Sequence, residues 1–198
     1  MKIDDPTQIV ITDVIDITNK EVSWIKHMMK LARLIAEKSP CVRRKVGCIV
    51  TNADHRIVSC GYHGNIPGHP HCTKETCYRY QNNIPSGQMP ELCAAIHAEQ
   101  NAIVSAAIQG VSLENSFIYV TTMPCITCMK MLLSVKPKWM FFESDYDIKN
   151  IQWILDNEKH CHIVRVSLDE YDNFDYQYLT KQDLYMNHSA HVKSHQLM

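Results

Sequence analysis

His97-Ala98-Glu99 and Pro124-Cys125-Ile126-Thr127-Cys128 are the two stretches that decide the fold of this chain. A catalytic zinc ion has three protein ligands and keeps a fourth position open for water. His97, Cys125 and Cys128 would supply one imidazole and two thiolates. Cys125 and Cys128 are three residues apart and share one face of a helical turn, and Pro124 suits the first position of a helix. The two stretches therefore predict a catalytic zinc site near the starts of two neighbouring helices.

Glu99 lies two residues from His97 and is not needed as a ligand. Beside an activated water, a carboxylate takes up a proton and delivers it to a leaving amine. A structural zinc site or a chance match is the alternative, but a structural site usually has four protein ligands and leaves Glu99 without a role. We therefore predict that Glu99 is the catalytic residue.

The chain has 198 residues, 45% hydrophobic residues and a net charge of −1. These values favour one domain and argue against a protein that holds long nucleic acid by charge alone. No apolar run is long enough to span a membrane, and residues 1–20 lack the basic start of a signal peptide. The nine cysteines indicate a reducing compartment and metal ligation rather than disulfides. We therefore expect the chain in the cytoplasm, or in the host cytoplasm if it is viral.

The pattern along the chain predicts an N-terminal arm (1–20), a domain (21–167) and a C-terminal tail without a packed element (168–198). Apolar periodicity and turn residues predict an α/β domain of alternating strands and helices. The predicted helices cover about 21–38, 93–109, 124–135 and 150–157, and the five predicted strands cover 46–50, 57–61, 116–121, 139–143 and 162–166.

A long irregular insert, residues 61–93, interrupts the domain. Loops of this length in compact domains are usually functional or pinned. Three cysteines lie in the insert and one follows the first helix, and together they would form a closed four-thiolate zinc site: Cys41, Cys72, Cys77 and Cys93. Free cysteines, or replacement of one ligand by His71, are the alternatives.

Several stretches resemble the deoxycytidylate (dCMP) deaminase family, over about residues 22–167. The His-x-Glu and Pro-Cys-x-x-Cys pattern is shared by many zinc deaminases. The resemblance to this family rests on Cys93-Ala94-Ala95-Ile96-His97-Ala98-Glu99-Gln100-Asn101-Ala102-Ile103, Tyr119-Val120-Thr121-Thr122-Met123-Pro124-Cys125-Ile126-Thr127-Cys128, Ser39-Pro40-Cys41-Val42-Arg43-Arg44-Lys45-Val46-Gly47 and Ile84-Pro85-Ser86-Gly87.

The resemblance implies a three-layer cytidine-deaminase-like fold, with a five-stranded mixed sheet and helices on both faces. It implies hydrolysis of dCMP to dUMP and ammonia, which supplies dUMP for dTMP synthesis. His97, Cys125 and Cys128 would bind zinc, and Glu99 would carry protons. The family also implies a homo-oligomer, often a hexamer, activated by dCTP and inhibited by dTTP, each with magnesium.

One residue departs from the family pattern. The family usually has Gly-Tyr-Asn-Gly where this chain has Gly61-Tyr62-His63-Gly64. In relatives that Asn lies near the nucleotide sugar and the regulatory loop, whereas His63 differs in shape and gains charge below about pH 6.5. The change bears on dCTP regulation and on the preference for unmodified dCMP, and it raises the hypothesis that 5-modified dCMP is a substrate.

The 5′-phosphate of dCMP needs basic partners, and Arg43, Arg44 and Lys45 follow the first helix in a loop that this fold places near the active site. Arginine suits phosphate because it donates two hydrogen bonds at once; solvated surface charge is the alternative. Four further substrate contacts are predicted, with Tyr146 packing on the base: Ser39, His63, Asn65 and Tyr146.

Other functions stay open. A deaminase of a base in tRNA or single-stranded DNA shares the zinc signature, but it must dock a polymer, which the near-neutral charge disfavours. A deaminase of free cytosine or of a pterin-type ring, and a non-enzymatic interaction module stabilised by zinc, complete the alternatives. Turnover separates an enzyme from a module, whereas zinc content does not.

Overall fold

The computed structural model of the chain describes residue 17 and residues 19–144, 151–168 and 173–179. Helices and strands alternate as the pattern predicts. The helices are α1 (Asn19–Ala36), α2 (Tyr78–Gln81), α3 (Ala98–Gln109), α4 (Ile126–Ser134) and α5 (Gln152–Asn157). The strands are β1 (Gly47–Thr51), β2 (Ile57–Tyr62), β3 (Gly64–Asn65), β4 (Ala95–Ile96), β5 (Phe117–Thr122), β6 (Trp139–Ser144), β7 (His162–Leu168) and β8 (Phe174–Tyr178).

The main sheet has the strand order β2-β1-β5-β6-β7-β8. Strands β1, β2 and β5 form antiparallel pairs, β5, β6 and β7 run parallel, and β8 adds antiparallel to β7. Strands β3 and β4 form a separate two-stranded ribbon. Because β5 and β6 are parallel, their carboxyl ends and the loops that follow them meet at one edge of the sheet.

Helices cover both faces of this sheet, so the three-layer α/β fold is confirmed. Along β1, Ile49 packs with α1 residues such as Met29, whereas Cys48 and Val50 pack with Ala102 of α3 on the opposite face. This alternation follows from the period of two along a strand. The methionines and alanines of α1 lie in this core, as their helical spacing predicts.

The sheet has six strands rather than five. The additional strand, β8, lies in the predicted tail, so the expectation that no packed element follows Ser167 was wrong. Its sequence, Phe174-Asp175-Tyr176-Gln177-Tyr178, alternates aromatic and polar residues, which is the pattern of a strand with one buried face. The remaining predicted arm and tail, residues 1–16, 18, 169–172 and 180–198, lie outside the described residues.

Two glycines allow helices to approach the sheet closely. A Cβ atom at Gly47 would lie 2.1 Å from the carbonyl oxygen of Ala32 in α1. A Cβ atom at Gly61 would lie 2.2 Å from the carbonyl oxygen of Ala98 in α3. The missing side chain therefore sets how near α3 lies to β2. Within the described part of the chain, no helix has the length and apolar character that crossing a membrane requires.

Candidate active site

His97 and Cys125 are each the residue that caps a helix. His97 precedes α3 and Cys125 precedes α4, and both have extended backbone conformations. Their carbonyls accept the first helical hydrogen bonds, from Asn101 (2.9 Å) and Met129 (2.8 Å). The prediction that the ligands lie where two neighbouring helices begin is therefore confirmed. The helix predicted from residue 93 begins only after His97, because a 3-10 turn and β4 occupy the residues before it.

The three predicted metal ligands converge. Nδ1 of His97 lies 3.6 Å from the Cys125 sulfur and 3.4 Å from the Cys128 sulfur. A tetrahedral zinc ion with Zn–S near 2.3 Å and Zn–N near 2.0–2.1 Å separates such ligands by about 3.6 Å. The donor set and its spacing therefore fit zinc. Within the described residues, this is the one group of three or more His, Cys, Asp or Glu residues whose ligand atoms all lie within 4.8 Å of one another.

The surroundings of the Cys125 and Cys128 thiols favour metal binding. A hydrogen bond from the Cys128 thiol, supported by one from His97, lowers the pKa of Cys125 to about 4. The same hydrogen bond to Cys125, and then burial, raise the pKa of Cys128. The pair thus holds one thiolate and one proton, and a bound cation would displace that proton. The start of α4 adds its partial positive charge beside Cys125.

Glu99 lies in the first turn of α3 and is only 4% exposed. Burial raises the pKa of its carboxyl, while the charge of His97 acts in the opposite direction. The hydrogen bond to Cys125 raises the pKa of His97. A buried carboxyl whose pKa lies above its usual value exchanges protons more readily near neutral pH than a solvated one. Its environment therefore suits a proton carrier.

His63 covers His97, the predicted imidazole ligand. Its ring stacks on His97 with centroids 5.2 Å apart, and it is 8% exposed. The hydroxyl of Ser39 donates to the His63 carbonyl at 2.5 Å, and the Asn101 side chain donates to the Tyr62 carbonyl at 2.8 Å. Nε2 of His63 is buried and has no hydrogen-bond partner among the described residues. The end of β2 and the residue after it are therefore tied to α3 and to the loop that follows α1.

One cavity joins the metal ligands to the insert. Its predicted lining residues include Glu99 and His63, and Arg79, which the sequence analysis does not mention, also faces it. Four more lining residues occur in the sequence analysis only within the stretches that carry the family resemblance: Val46, Gly87, Thr122 and Met123. Ser86, from a stretch that carries the family resemblance, lines it too. The other predicted residues that line it are Cys41, Arg43, Arg44, Cys72, Cys77, Cys93, His97 and Cys125.

Some of the predicted substrate contacts are not among the residues that line the cavity. Ser39 is buried behind His63, and Lys45 is exposed and outside the cavity lining. The amide of Asn65 hydrogen-bonds the Pro70 carbonyl and the Cys72 thiol rather than lining the cavity. Tyr146 lies outside the described residues. Ser39 and Asn65 thus have contacts that support the loop around the site.

The four cysteines predicted for a second zinc gather around the same cavity. The charges of Cys77, Cys93 and Cys41 all act on Cys72, although burial is the main reason that the pKa of Cys72 is raised. The Cys41 sulfur accepts the backbone N–H groups of Arg43 (3.4 Å) and Arg44 (3.5 Å). No three of the four sulfurs come within 4.8 Å of one another. The neighbouring His63 ring lowers the pKa of Cys93.

Residues 22–144 match the family model of the cytidine and deoxycytidylate deaminase zinc-binding region. The chain belongs to this family. The match contains the three ligands, Glu99 and the whole insert. The resemblance carried by the sequence motifs is therefore confirmed at the level of the family.

Individual members of the deaminase family differ in how much they share with this chain. ComE operon protein 2 of Bacillus subtilis is 32% identical over 152 residues, which cover 76% of this chain and 75% of that protein. The deoxycytidylate deaminase of Schizosaccharomyces pombe is 30% identical over 126 residues, and the chain spans only 38% of its length. The dCMP deaminase of cyanophage S-TIM5 superposes with a TM-score of 0.51 and 31% identity, covering 66% of this chain and 91% of that one. The same phage enzyme is known in complex with dCMP and dUMP, and that structure is 29% identical to this chain with a TM-score of 0.51.

Proposed function

We propose that this chain hydrolyses dCMP to dUMP and ammonia, and so supplies dUMP for dTMP synthesis. The observation that carries the proposal is the position of Glu99, buried beside a three-ligand metal site at one end of a cavity with arginines in its wall. Three ligands leave a coordination position open, which a structural zinc site would not need. The relatives named deoxycytidylate deaminase, and the phage enzyme bound to dCMP and dUMP, support the choice of substrate.

Each residue of the site has a separate role in the proposed reaction. His97, Cys125 and Cys128 would hold zinc, which when bound acts as a Lewis acid and lowers the pKa of water. Glu99 takes a proton from the attacking water and returns protons to N3 of the base and to the amine that leaves C4. His63 and Thr122, which lies at the carboxyl end of β5, line the cavity in which these groups act. The net reaction exchanges the C4 amine for oxygen and releases ammonia.

The test is turnover of dCMP by the zinc-loaded protein, followed as loss of the cytosine absorbance. We expect turnover of dCMP, and little with an unstructured RNA or single-stranded DNA. The same assay with 5-methyl-dCMP and 5-hydroxymethyl-dCMP examines the modified-substrate hypothesis, which fails if only dCMP reacts. Zinc-loaded, folded protein that leaves dCMP unchanged would overturn the proposal and direct attention to the modified nucleotides and then to RNA.

Regulation and assembly form a further part of the proposal. We expect a homo-oligomer, a hexamer by resemblance, with dCTP–Mg²⁺ as activator and dTTP–Mg²⁺ as inhibitor. Val104 and Ile108 support a subunit contact, because they lie one turn apart on α3 and are 46% and 82% exposed. Adding dCTP–Mg²⁺ to the turnover assay shows whether His63 has removed the response. The cytoplasmic location drawn from the cysteine content stays a prediction.

We also propose a second, structural zinc held by Cys41, Cys72, Cys77 and Cys93. Support comes from the clustering of these thiols around one cavity and from the two backbone N–H groups, of Arg43 and Arg44, that point at the Cys41 sulfur. Binding requires the sulfurs to move closer together than they are here. Such a site would join the insert to the end of α1.

We predict two zinc ions per chain in the wild-type protein and one in Cys72→Ser, with a lower melting temperature, because the insert loses its metal cross-link. Cys60→Ser is the matched control: Cys60 is an exposed cysteine of β2, and its replacement should leave both ions in place. Elemental analysis and thermal melting measure the two quantities. A wild-type protein with a single zinc ion would contradict the second site.

A further inference from the structure

Arg33 of α1 connects the carboxyl ends of two parallel strands. Its Nε donates to Oε2 of Glu143 at 2.9 Å, and its Nη2 lies 2.9 Å from Oε1 of the same carboxylate. Nη2 also donates to the Leu168 carbonyl at 2.6 Å. Glu143 lies one residue before the end of β6, and Leu168 is the last residue of β7. One guanidinium group therefore fixes the ends of both strands to α1.

The geometry of this ion pair differs from that of an exposed pair. The Glu143 side chain is 14% exposed and faces the arginine with both oxygens. In the exposed pair of Lys136 with Glu114, the side chains are 73% and 58% exposed and the charged atoms lie 3.9 Å apart. Water screens such a pair, and it holds neither partner firmly. A two-pronged arginine–carboxylate contact that is shielded from water defines the position of both groups.

Ser144, the residue after Glu143, connects this junction to the end of β5. Its hydroxyl donates to the Thr121 carbonyl at 3.0 Å and lies 3.0 Å from the Thr122 hydroxyl. Its carbonyl accepts the backbone N–H of Met123 at 2.8 Å. Thr122 is also the partner of Ser144 in the parallel pairing of β5 with β6. Three consecutive residues at the end of β5 are thus bonded to Ser144.

The end of β5 leads directly into the metal site. Thr122 and Met123 line the cavity, and Cys125, whose backbone is extended, follows before α4 begins. Only Pro124 separates Met123 from Cys125, and its ring fixes φ and limits how this short connection can adjust. A displacement of the end of β5 would therefore change the 3.6 Å separation between the Cys125 sulfur and Nδ1 of His97.

We propose that Ser144 is a positioning residue for the metal ligand Cys125, and that the ion pair of Arg33 with Glu143 holds Ser144 in place. The contacts run from α1, on one face of the sheet, to a ligand at the start of α4, on the other face. None of the three residues lines the cavity, so they act on the site only through the end of β5. Groups outside the ligand set orient the ligands of a metal site in this way. The inference rests on the proposed zinc ligands and not on the identity of the substrate.

Cobalt(II) replaces zinc in the test, because its absorption spectrum reports the geometry of thiolate and imidazole ligands. We expect Ser144→Ala and Glu143→Gln each to weaken cobalt binding by about 10-fold and to change the thiolate-to-cobalt absorption band. The double variant should lose about 10-fold in total rather than about 100-fold, because both residues act through one set of contacts. Competition with a chelator gives the affinities, and thermal melting shows that each variant is folded.

Glu114→Gln is the matched control, because it removes a carboxylate from the exposed ion pair, before the opposite end of β5. It should leave the cobalt affinity and spectrum unchanged. Arg33→Lys keeps the charge but loses the two-pronged contact, and it should weaken cobalt binding less than Arg33→Gln.

A lower melting temperature with wild-type cobalt affinity and spectrum, in Ser144→Ala and Glu143→Gln alike, would overturn the proposal. Losses that multiply in the double variant would also contradict it. If Glu143→Gln does not fold, Ser144→Ala decides the question, because it removes only the hydroxyl of an exposed residue. Wild-type protein that binds cobalt and responds to these substitutions as described, but leaves dCMP unchanged when loaded with zinc, would contradict only the proposed reaction.

Discussion

Glu99→Gln is expected to lower kcat for dCMP by about 10³- to 10⁴-fold or more while the protein stays folded and loaded with zinc. Glutamine has the shape of the carboxylic acid, so the packing of this buried position is kept. It neither accepts a proton from the attacking water nor delivers one to the leaving amine. General acid–base groups contribute about 10²–10⁴-fold to catalysis, and Glu99 acts in both directions during one turnover. The loss should therefore lie in the upper half of that range or above it.

The measurement needs three readings on the same protein: kcat for dCMP, zinc content and melting temperature. Glu91→Gln is the matched control, because it removes the same charge from an exposed residue of the insert. It should leave all three values close to wild type. If Glu99→Gln retained a tenth or more of the wild-type kcat, Glu99 would not be the proton carrier.

Gly61→Ala is expected to destabilise the fold by about 3 kcal/mol or more and to weaken zinc binding. The new Cβ atom would lie 2.2 Å from the Ala98 oxygen and 2.5 Å from the Ala102 nitrogen. Both atoms belong to the backbone of α3, so no side-chain rotation relieves the clash. Ordinary contact begins near 3.4 Å, so α3 must move by about 1 Å (3.4 − 2.2 Å). Overpacking in a core typically costs about 1–3 kcal/mol, and rigid backbone neighbours place this case at the upper limit.

The effect on zinc follows from where α3 begins. His97 caps this helix, and its Nδ1 faces the sulfurs at the start of α4 across the proposed metal site. A shift of α3 away from β2 changes the distance between Nδ1 and those sulfurs, which the metal tolerates only within a few tenths of an ångström. Denaturant unfolding and zinc titration with a chelator measure the two effects.

Gly110→Ala provides the comparison for Gly61→Ala. Gly110 ends the same helix with φ of +68° and open space where a Cβ would be. Alanine there costs about 1 kcal/mol of backbone strain and should leave zinc binding unchanged. Unfolding free energies that are equal for Gly61→Ala and wild type would mean that α3 is not held against β2 as described.

The sequence alone determines the chemical identity of the metal site. The ligand types, the spacing of Cys125 and Cys128, and the nearby Glu99 are local features, because each half of the site lies within one turn at the start of a helix. The alternation of helices and strands is also local, since apolar periodicity reports which face of each element is buried. Strand β8 follows the same rule; its aromatic and polar alternation is present in the sequence but short and set among polar residues.

Tertiary structure decided which distant residues share the cavity. The path of the insert brings Arg79 and Ser86 to the cavity of the metal site, whereas Lys45, only two residues from Arg43, does not line that cavity. No periodic pattern encodes that path, because the insert has little regular structure and is positioned by single contacts such as those of Arg43 and Asn65. The close approach of α3 to β2 at Gly61 is likewise visible only in three dimensions. Glycine occurs both where a tight turn needs a positive φ and where another element packs closely against the backbone, and the sequence does not distinguish the two. The packing of α3 on β2 shows that Gly61 serves the close contact.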